Sequence, residues 1–516
     1  MIMYNIFNKR IVIYILLANL FFNVYSNEFY NIKDFGANGN DTLLDTEFIN
    51  NAINKASENG GGTIFFPAGA YISFSIHLKS NITLYLDNGA ILQAADTLKY
   101  GLNYESAEPN EFDQYQDYGH SHWHNSLIWG ENLENIAITG QGMINGTDGL
   151  TRRGRRTPGI ANKAIALKNC RNVTLSDFSM LMCGHFALLA TGVDQLTIDN
   201  VKVDTNRDGF DIDCCKHVRI SNCSVNSPWD DAICLKSSYA LGYPRITEDV
   251  TIINCYVSGF DRTTFLTGTY QKNESHLVPD RGVVTGRIKF GTESNGGFQN
   301  IAISNCTFEF CRGLALETVD GGVLEDVVID NIVMKDIQGA PFFFRLGARL
   351  RAPEGTPAGY LRNVIVSNVV VYSANPDYCS MIVGIPGHPV EDITMYHLKM
   401  KIRGGAPKEQ SGSIVHELTD SYPDPQEFGK MPSYAFFIRH AENIRLMNID
   451  ISLENPDGRP AMYIEDVNGI SLQDIIIPIE KSQDVFRIVN TNGLTSKNCE
   501  PLPDMNKKSI SRLQNF

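Results

Sequence analysis

The chain has 516 residues, 43% of them hydrophobic, enough for a large core or for one very long domain. Its formal charge of −14 argues against a nucleic-acid partner, which needs a basic surface. Acidity by itself names no substrate.

Residues 1–26 read as a secretory signal. Lys9 and Arg10 are its basic start, residues 11–22 its apolar run, and Val24, Tyr25 and Ser26 stand at the cleavage positions. The run falls short of the roughly 20 residues that span a bilayer. We therefore expect no membrane span and an exported protein, periplasmic or extracellular, beginning near Asn27.

Beyond the signal, residues 45–58 carry a helical pattern ended by a glycine cluster. Strand phrases follow at residues 62–67, 82–86 and 90–93, so the expected N-terminal cap spans about residues 27–70. A short amphipathic helix ahead of a run of strands covers the open end of a solenoid core.

From there one phrase recurs: apolar-x-apolar, a polar residue, then apolar-x-apolar. It reads VTLSDFSM, LTIDNVKV, VRISNCSV, VTIINCYV, IAISNCTF, VVIDNIVM, VIVSNVVV and ITMYHLKM. Its polar turn residues are Asp177, Asn200, Asn222, Asn254, Asn305, Asn331 and Asn368. The first two steps, 200 − 177 = 23 and 222 − 200 = 22, set a coil length, and the longer ones are coils with inserted loops. Parallel strands without crossover helices cannot form a doubly wound sheet, whereas an all-β, right-handed parallel β-helix satisfies the pattern. Propeller repeats would run near 40 residues with tight hairpins.

Eleven cysteines in an exported chain would first suggest disulfides. However, Cys170, Cys223, Cys255 and Cys306 each follow an asparagine in the same phrase, which predicts stacked free thiols in equivalent bends. No CxxC pair occurs, so a zinc site is not expected. Insertions are expected at residues 100–129, where His120, His122 and His124 alternate in an aromatic groove wall, and at residues 261–287.

The chemistry concentrates in residues 206–236, NRDGFDIDCCKHVRISNCSVNSPWDDAICLK. A residue one coil further on lies on the neighbouring strand, about 4.8 Å away, so Asp208 and Asp231 should stack, with Asp230 beside them. Crowded carboxylates repel when ionised, so one keeps a proton while another stays anionic. Strand alternation turns Phe210 and Ile212 inward and leaves Asp208 and Asp211 at the surface. His185, 23 residues before Asp208, should share its column, and Arg287 and Lys289 should face the acids from the next coil. A solvated turn is the plain alternative for either acidic motif alone. Two such motifs one coil apart, beside Trp229 as a sugar-stacking ring, favour function.

These residues resemble those of the family 28 glycoside hydrolases, the polygalacturonases and their rhamnogalacturonase relatives. NRDGFDI is similar to the family's Asn-x-Asp-Gly motif, WDDAICLK to its Asp-Asp motif, and DFGANGNDTLLDTEFINNAI with GGGTIFFPAGAY to its N-terminal portion. The resemblance spans roughly residues 29–480. It implies a pectic polysaccharide or oligosaccharide partner, no cofactor and no metal, and hydrolysis with inversion. Asp230 would be the general acid, and Asp208 with Asp231 would activate water, acid and base standing about 6.5 to 9.5 Å apart.

Two departures stand out. The family's Gly-His-Gly place reads Thr285-Gly286-Arg287, and its Arg-x-Lys falls on Ala315-Leu316-Glu317. Arg287 and Lys289 would supply the cations one coil earlier, with Glu317 pairing Lys289 or binding a hydroxyl. His185, Asp211, Trp229 and Lys236 complete the expected substrate surface. An exo-acting or rhamnogalacturonan-directed hydrolase follows as the expectation. The alternatives are a β-helix polysaccharide lyase, told apart by an unsaturated product, and a non-catalytic carbohydrate-binding β-helix.

Overall fold

The computed structural model describes residues 28–117, 119–151, 157–272, 284–478 and 484–516. The expected signal at residues 1–26, and Arg152, Arg153, Arg155 and Arg156, read from sequence as a solvated basic loop, lie outside them. Among the described residues, thirty-five strands join into one continuous sheet. Every pairing is parallel until Phe486–Lys497, on which Met505–Ile510 and Gln514–Asn515 close the end antiparallel. The chain is a right-handed parallel β-helix.

One coil shows how the sequence winds. The strands Phe186–Thr191, Asp194–Asp199 and Lys202–Asp204 stack on Asp208–Asp213, Lys216–Ser221 and Ser224–Asn226. Inward residues such as Leu196, Ile198, Val218 and Ile220 are at most 1% exposed. At least three residues per coil take positive φ and turn the chain between faces, one of them in the column Asn169, Gly192 and Cys214. A second column holds Asn172, Gln195, His217, Asp249 and Asn300, a third Asp177, Asn200, Asn222, Asn254 and Asn305. Asparagine and aspartate tolerate this backbone best after glycine, and their side chains bond from coil to coil: Asn222 donates to Asp199 at 2.8 Å. The column of Asn172 has no counterpart in the repeat read from sequence.

Asn222→Ala is expected to lower stability by about 1 to 2 kcal/mol, since alanine meets the left-handed penalty and loses the ladder bond. Asn222→Gly should cost less. Urea midpoints for the pair check this, and equal losses would remove backbone strain from the explanation.

The helix α1 (Thr46–Glu58) lays Ile49, Ala52, Ile53 and Ala56, all fully buried, over the open N-terminal end of the core. All eleven cysteines are buried and unbridged. Cys223 and Cys255 occupy successive bends, their carbonyls accepting from Tyr256 and Thr307 one coil on. Cys170 belongs to an earlier bend, since the Asp194 amide bonds to its carbonyl and that of Lys216 to Val193. The same Asn-Cys pair occurs at two different corners of the coil, so the expected single thiol column is corrected for Cys170.

Four strands position the chemistry: β1 (Phe186–Thr191), β2 (Asp208–Asp213), β3 (Ile233–Ser237) and β4 (Ile288–Ser294), stacked in that order. Loops cover their outer face. Residues 101–117 and 119–125 are irregular apart from the turn Asp113–Tyr115, and strand structure resumes at Ser126–Glu131. A further insertion, residues 403–435, was overlooked in the sequence, although the repeat phrase after ITMYHLKM, IRLMNIDI, puts its turn residue Asn448 at 448 − 397 = 51 residues beyond His397.

Candidate active site

Asp208 opens β2, and Asp230 and Asp231 lie just ahead of β3. The register pairs Phe210 with Ile233, and the Gly209 amide donates to the Asp231 carbonyl at 3.0 Å, so Asp208 and Asp231 sit on adjoining rungs as expected. One oxygen from each of Asp208, Asp230 and Asp231 lies within 4.8 Å of the others. These nearest oxygens are closer than the expected spacing of about 6.5 to 9.5 Å. Such a trio could hold a cation, but Arg207, Arg287 and Lys289 already stand against its oxygens.

The three acids differ in surroundings. Burial, then the Asp230 and Asp211 charges, hold the Asp208 carboxyl well above the usual range, outweighing Arg207 and Lys236. Burial also works against the Asp231 charge, but Lys289 and Arg287 prevail and lower its pKa. Arg287 Nε donates to Asp231 Oδ1 at 2.8 Å, and Lys289 Nζ is 3.5 Å from Oδ2. Asp230 is the most open, its side chain 15% exposed, and its Oδ2 meets Arg207 Nη2 at 2.6 Å. Asp208 therefore holds a proton more tightly than Asp231 does, beside the acid that the resemblance assigns to donation.

A cleft of about 180 Å³ opens above the acids. Among the expected residues, Lys236 and Lys289 line it. Asp211, Arg287 and Glu317 are buried behind the lining. The surface position expected for Asp211 is corrected: loop 101–125 covers it, and His120 Nε2 sits 2.9 Å from its carboxylate. Glu317 meets Lys289 at 3.4 Å and Arg287 at 3.5 Å, as a counter-ion. His185 lies 3.7 Å from Asp208, although the rung opposite Asp208 belongs to Phe186. Trp229 stands under the Arg262 guanidinium at 4.1 Å. His120 joins the cleft wall, while His122 and His124 turn to Asp113 and Glu131, so the three histidines do not converge.

Five lining residues went unread in the sequence: Arg207, Asp117, Thr292, Glu293 and Tyr422. Arg207 was legible in principle, as the basic residue inside the Asn-x-Asp-Gly motif. Glu293 accepts from Lys236 Nζ at 3.0 Å and from the Asp117 amide at 3.1 Å. Asp117 is bound in turn by Arg349 and Arg351, which ties loop 101–125 to the segment after Leu346. Tyr422, from the insertion at 403–435, places its hydroxyl 3.0 Å from Thr292 Oγ1 and 3.5 Å from Lys289.

Residues 29–261 match a family profile described as rhamnogalacturonase A/epimerase, pectate lyase-like. A Vitis vinifera protein named "Probable polygalacturonase" is 24% identical over 380 residues, 66% of this chain and 74% of its own. A hyperthermoactive exopolygalacturonase from Thermotoga maritima superposes with a TM-score of 0.59 at 19% identity, over 83% of this chain and 92% of that one. The Yersinia enterocolitica family 28 exopolygalacturonase gives 0.61 at 16% identity, covering 86% and 78%.

Proposed function

We propose that this family 28-like chain is an exported glycoside hydrolase that cleaves α-galacturonic acid linkages in pectin, acting from a chain end. One observation carries it: three clustered carboxylates, Asp208 with its pKa raised and Asp231 with its pKa lowered, in a cleft also lined by Arg207, Lys236 and Lys289. The cations suit a substrate bearing carboxylates, and the acids suit glycosidic proton transfer. Asp230, the most open, protonates the leaving oxygen, drawing on the proton that the cluster retains. Asp208, once it has passed that proton on, and Asp231 hold the attacking water. Export rests on the basic and apolar residues at the N-terminus. Among the described residues no helix is long and apolar enough to cross a membrane.

We rest the end-wise mode on Asp117, which lines a small cleft and which Arg349 and Arg351 hold in place as a wall. Chromatography of early products from homogalacturonan and rhamnogalacturonan oligosaccharides checks it. Monomer or dimer from the first turnovers is expected, and a ladder of intermediate lengths would overturn the exo assignment.

Stereochemistry needs its own measurement, because the nearest carboxylate oxygens approach the spacing of about 5 Å typical of retaining sites. Both Asp231 oxygens face cations, a placement suited to holding water rather than attacking carbon. Proton NMR of the first-formed anomer should show inversion. A retained anomer would replace water attack with a covalent intermediate, and an unsaturated, ultraviolet-absorbing product would replace hydrolysis with elimination.

A further inference from the structure

A second cavity, of about 600 Å³, lies where residues 259–272 fold back over the short strands Ser224–Asn226, Tyr256–Ser258 and Thr307–Glu309. Its lining is chiefly aromatic. Tyr256 and Phe265 lie with ring centroids 6.0 Å apart and planes 19° from parallel, and Tyr270, 50% exposed, stands edge-on to Phe265 at 5.9 Å. Phe260 lines it from below, 3% exposed.

The polar atoms of this groove are balanced in charge. Glu309 accepts from the Tyr256 hydroxyl at 2.9 Å and pairs with Lys335 at 2.7 Å, while Lys272 pairs with Asp336 at 2.6 Å. The catalytic cleft, by contrast, is lined by three cations, Arg207, Lys236 and Lys289, and five carboxylates.

We propose that this groove is a second carbohydrate site, taking neutral pyranosyl residues of the branched polymer whose acidic part the cleft cleaves; the link to cleavage rests on the hydrolase function proposed above. Aromatic faces pack against the C–H faces of pyranose rings, and the hydroxyl and charged groups at the rim bond sugar hydroxyls. The volume falls within the roughly 300 to 1,000 Å³ of ligand pockets, which the catalytic cleft alone does not reach. A balanced rim gives a uronate no advantage over a neutral sugar. The groove's segment also touches the neighbourhood of the site: Arg262, in the same folded-back segment, stacks on Trp229, next in sequence to Asp230. Asp204 fixes that segment by accepting from the amides of Thr263, Phe265 and Leu266 at 3.0 to 3.1 Å.

Tyr270 has φ of +47°, so asparagine removes the ring without adding backbone strain, and Tyr270→Phe keeps the ring. Wild type, Y270N and Y270F would be titrated by calorimetry with neutral galactan, xylan and glucan tetrasaccharides and with trigalacturonate. At least one neutral tetrasaccharide should bind wild type and Y270F alike and Y270N about tenfold more weakly, with trigalacturonate binding the same in all three. No neutral sugar bound by wild type at millimolar concentration, or equal binding by Y270N, overturns the groove. Because this readout needs no turnover, a protein that binds neutral sugars in this pattern yet hydrolyses no galacturonide would lose the proposed activity and keep the second site.

Discussion

Asp230→Asn is expected to reduce kcat on galacturonide substrates by about 10² to 10⁴, the usual contribution of a positioned general acid, while leaving the fold intact. The amide is nearly isosteric and still accepts, through its oxygen, the Asp231 amide that now bonds Asp230 Oδ1 at 3.1 Å. What disappears is the transferable proton and the ion pair with Arg207. The loss should depend on the leaving group. An aryl galacturonide with a good leaving group needs little protonation, so the variant should recover much of its rate there. Asp208→Asn, which removes a water-holding base, should be slow on both substrates. Steady-state rates on the oligosaccharide and the aryl glycoside separate the roles. Turnover by Asp230→Asn within tenfold of wild type on the oligosaccharide would end the acid assignment. Leaving-group rescue seen only in Asp208→Asn would transfer the acid role to Asp208, whose carboxyl burial and neighbouring charges hold well above the usual range.

The sequence and the geometry part company where contacts run between loops. The coil, the inward column through Phe210 and Ile233, and the adjacency of Asp208 to Asp231 were all legible, because a period of 22 or 23 residues fixes which side chains become neighbours. The cap helix was legible from its apolar spacing. Tyr422 was not: it reaches Lys289 and Thr292 from an insertion 130 residues further on, and no repeat carries that information. Asp117 and Glu293 escaped for the same reason, since their meeting depends on loop 101–125 folding down on β4. Strand alternation correctly turned Asp211 away from the apolar core, but whether an outward residue meets solvent depends on what the loops cover.

That cover makes Glu293 a point of large leverage. Its side chain is 1% exposed and anchors Lys236, itself buried, which also donates to the Gly291 carbonyl at 3.4 Å and lies 4.0 Å from Asp211. Burial opposes the Glu293 charge, yet Lys236, His120 and Arg349 together hold its pKa well below the ordinary carboxylate range. Glu293→Gln would leave the Lys236 ammonium in a site built for an anion and is expected to destabilise by about 3 to 5 kcal/mol, as when one partner of a buried pair is removed. The pH dependence has a defined sign. A carboxyl whose folded pKa is depressed stabilises the native state above its unfolded value near 4.3, and that stability drains away as pH falls toward the folded value. Urea midpoints at pH 7 should therefore fall markedly in Glu293→Gln, and the difference from wild type should shrink as the pH is lowered below about 4. Because Glu293 also accepts the Asp117 amide, the variant should loosen the wall that closes one side of the cleft. Early products of the variant should then include longer oligosaccharides. A midpoint unchanged at pH 7 would mean that Lys236 finds another counter-ion, and that the pair with Glu293 does not hold this face together.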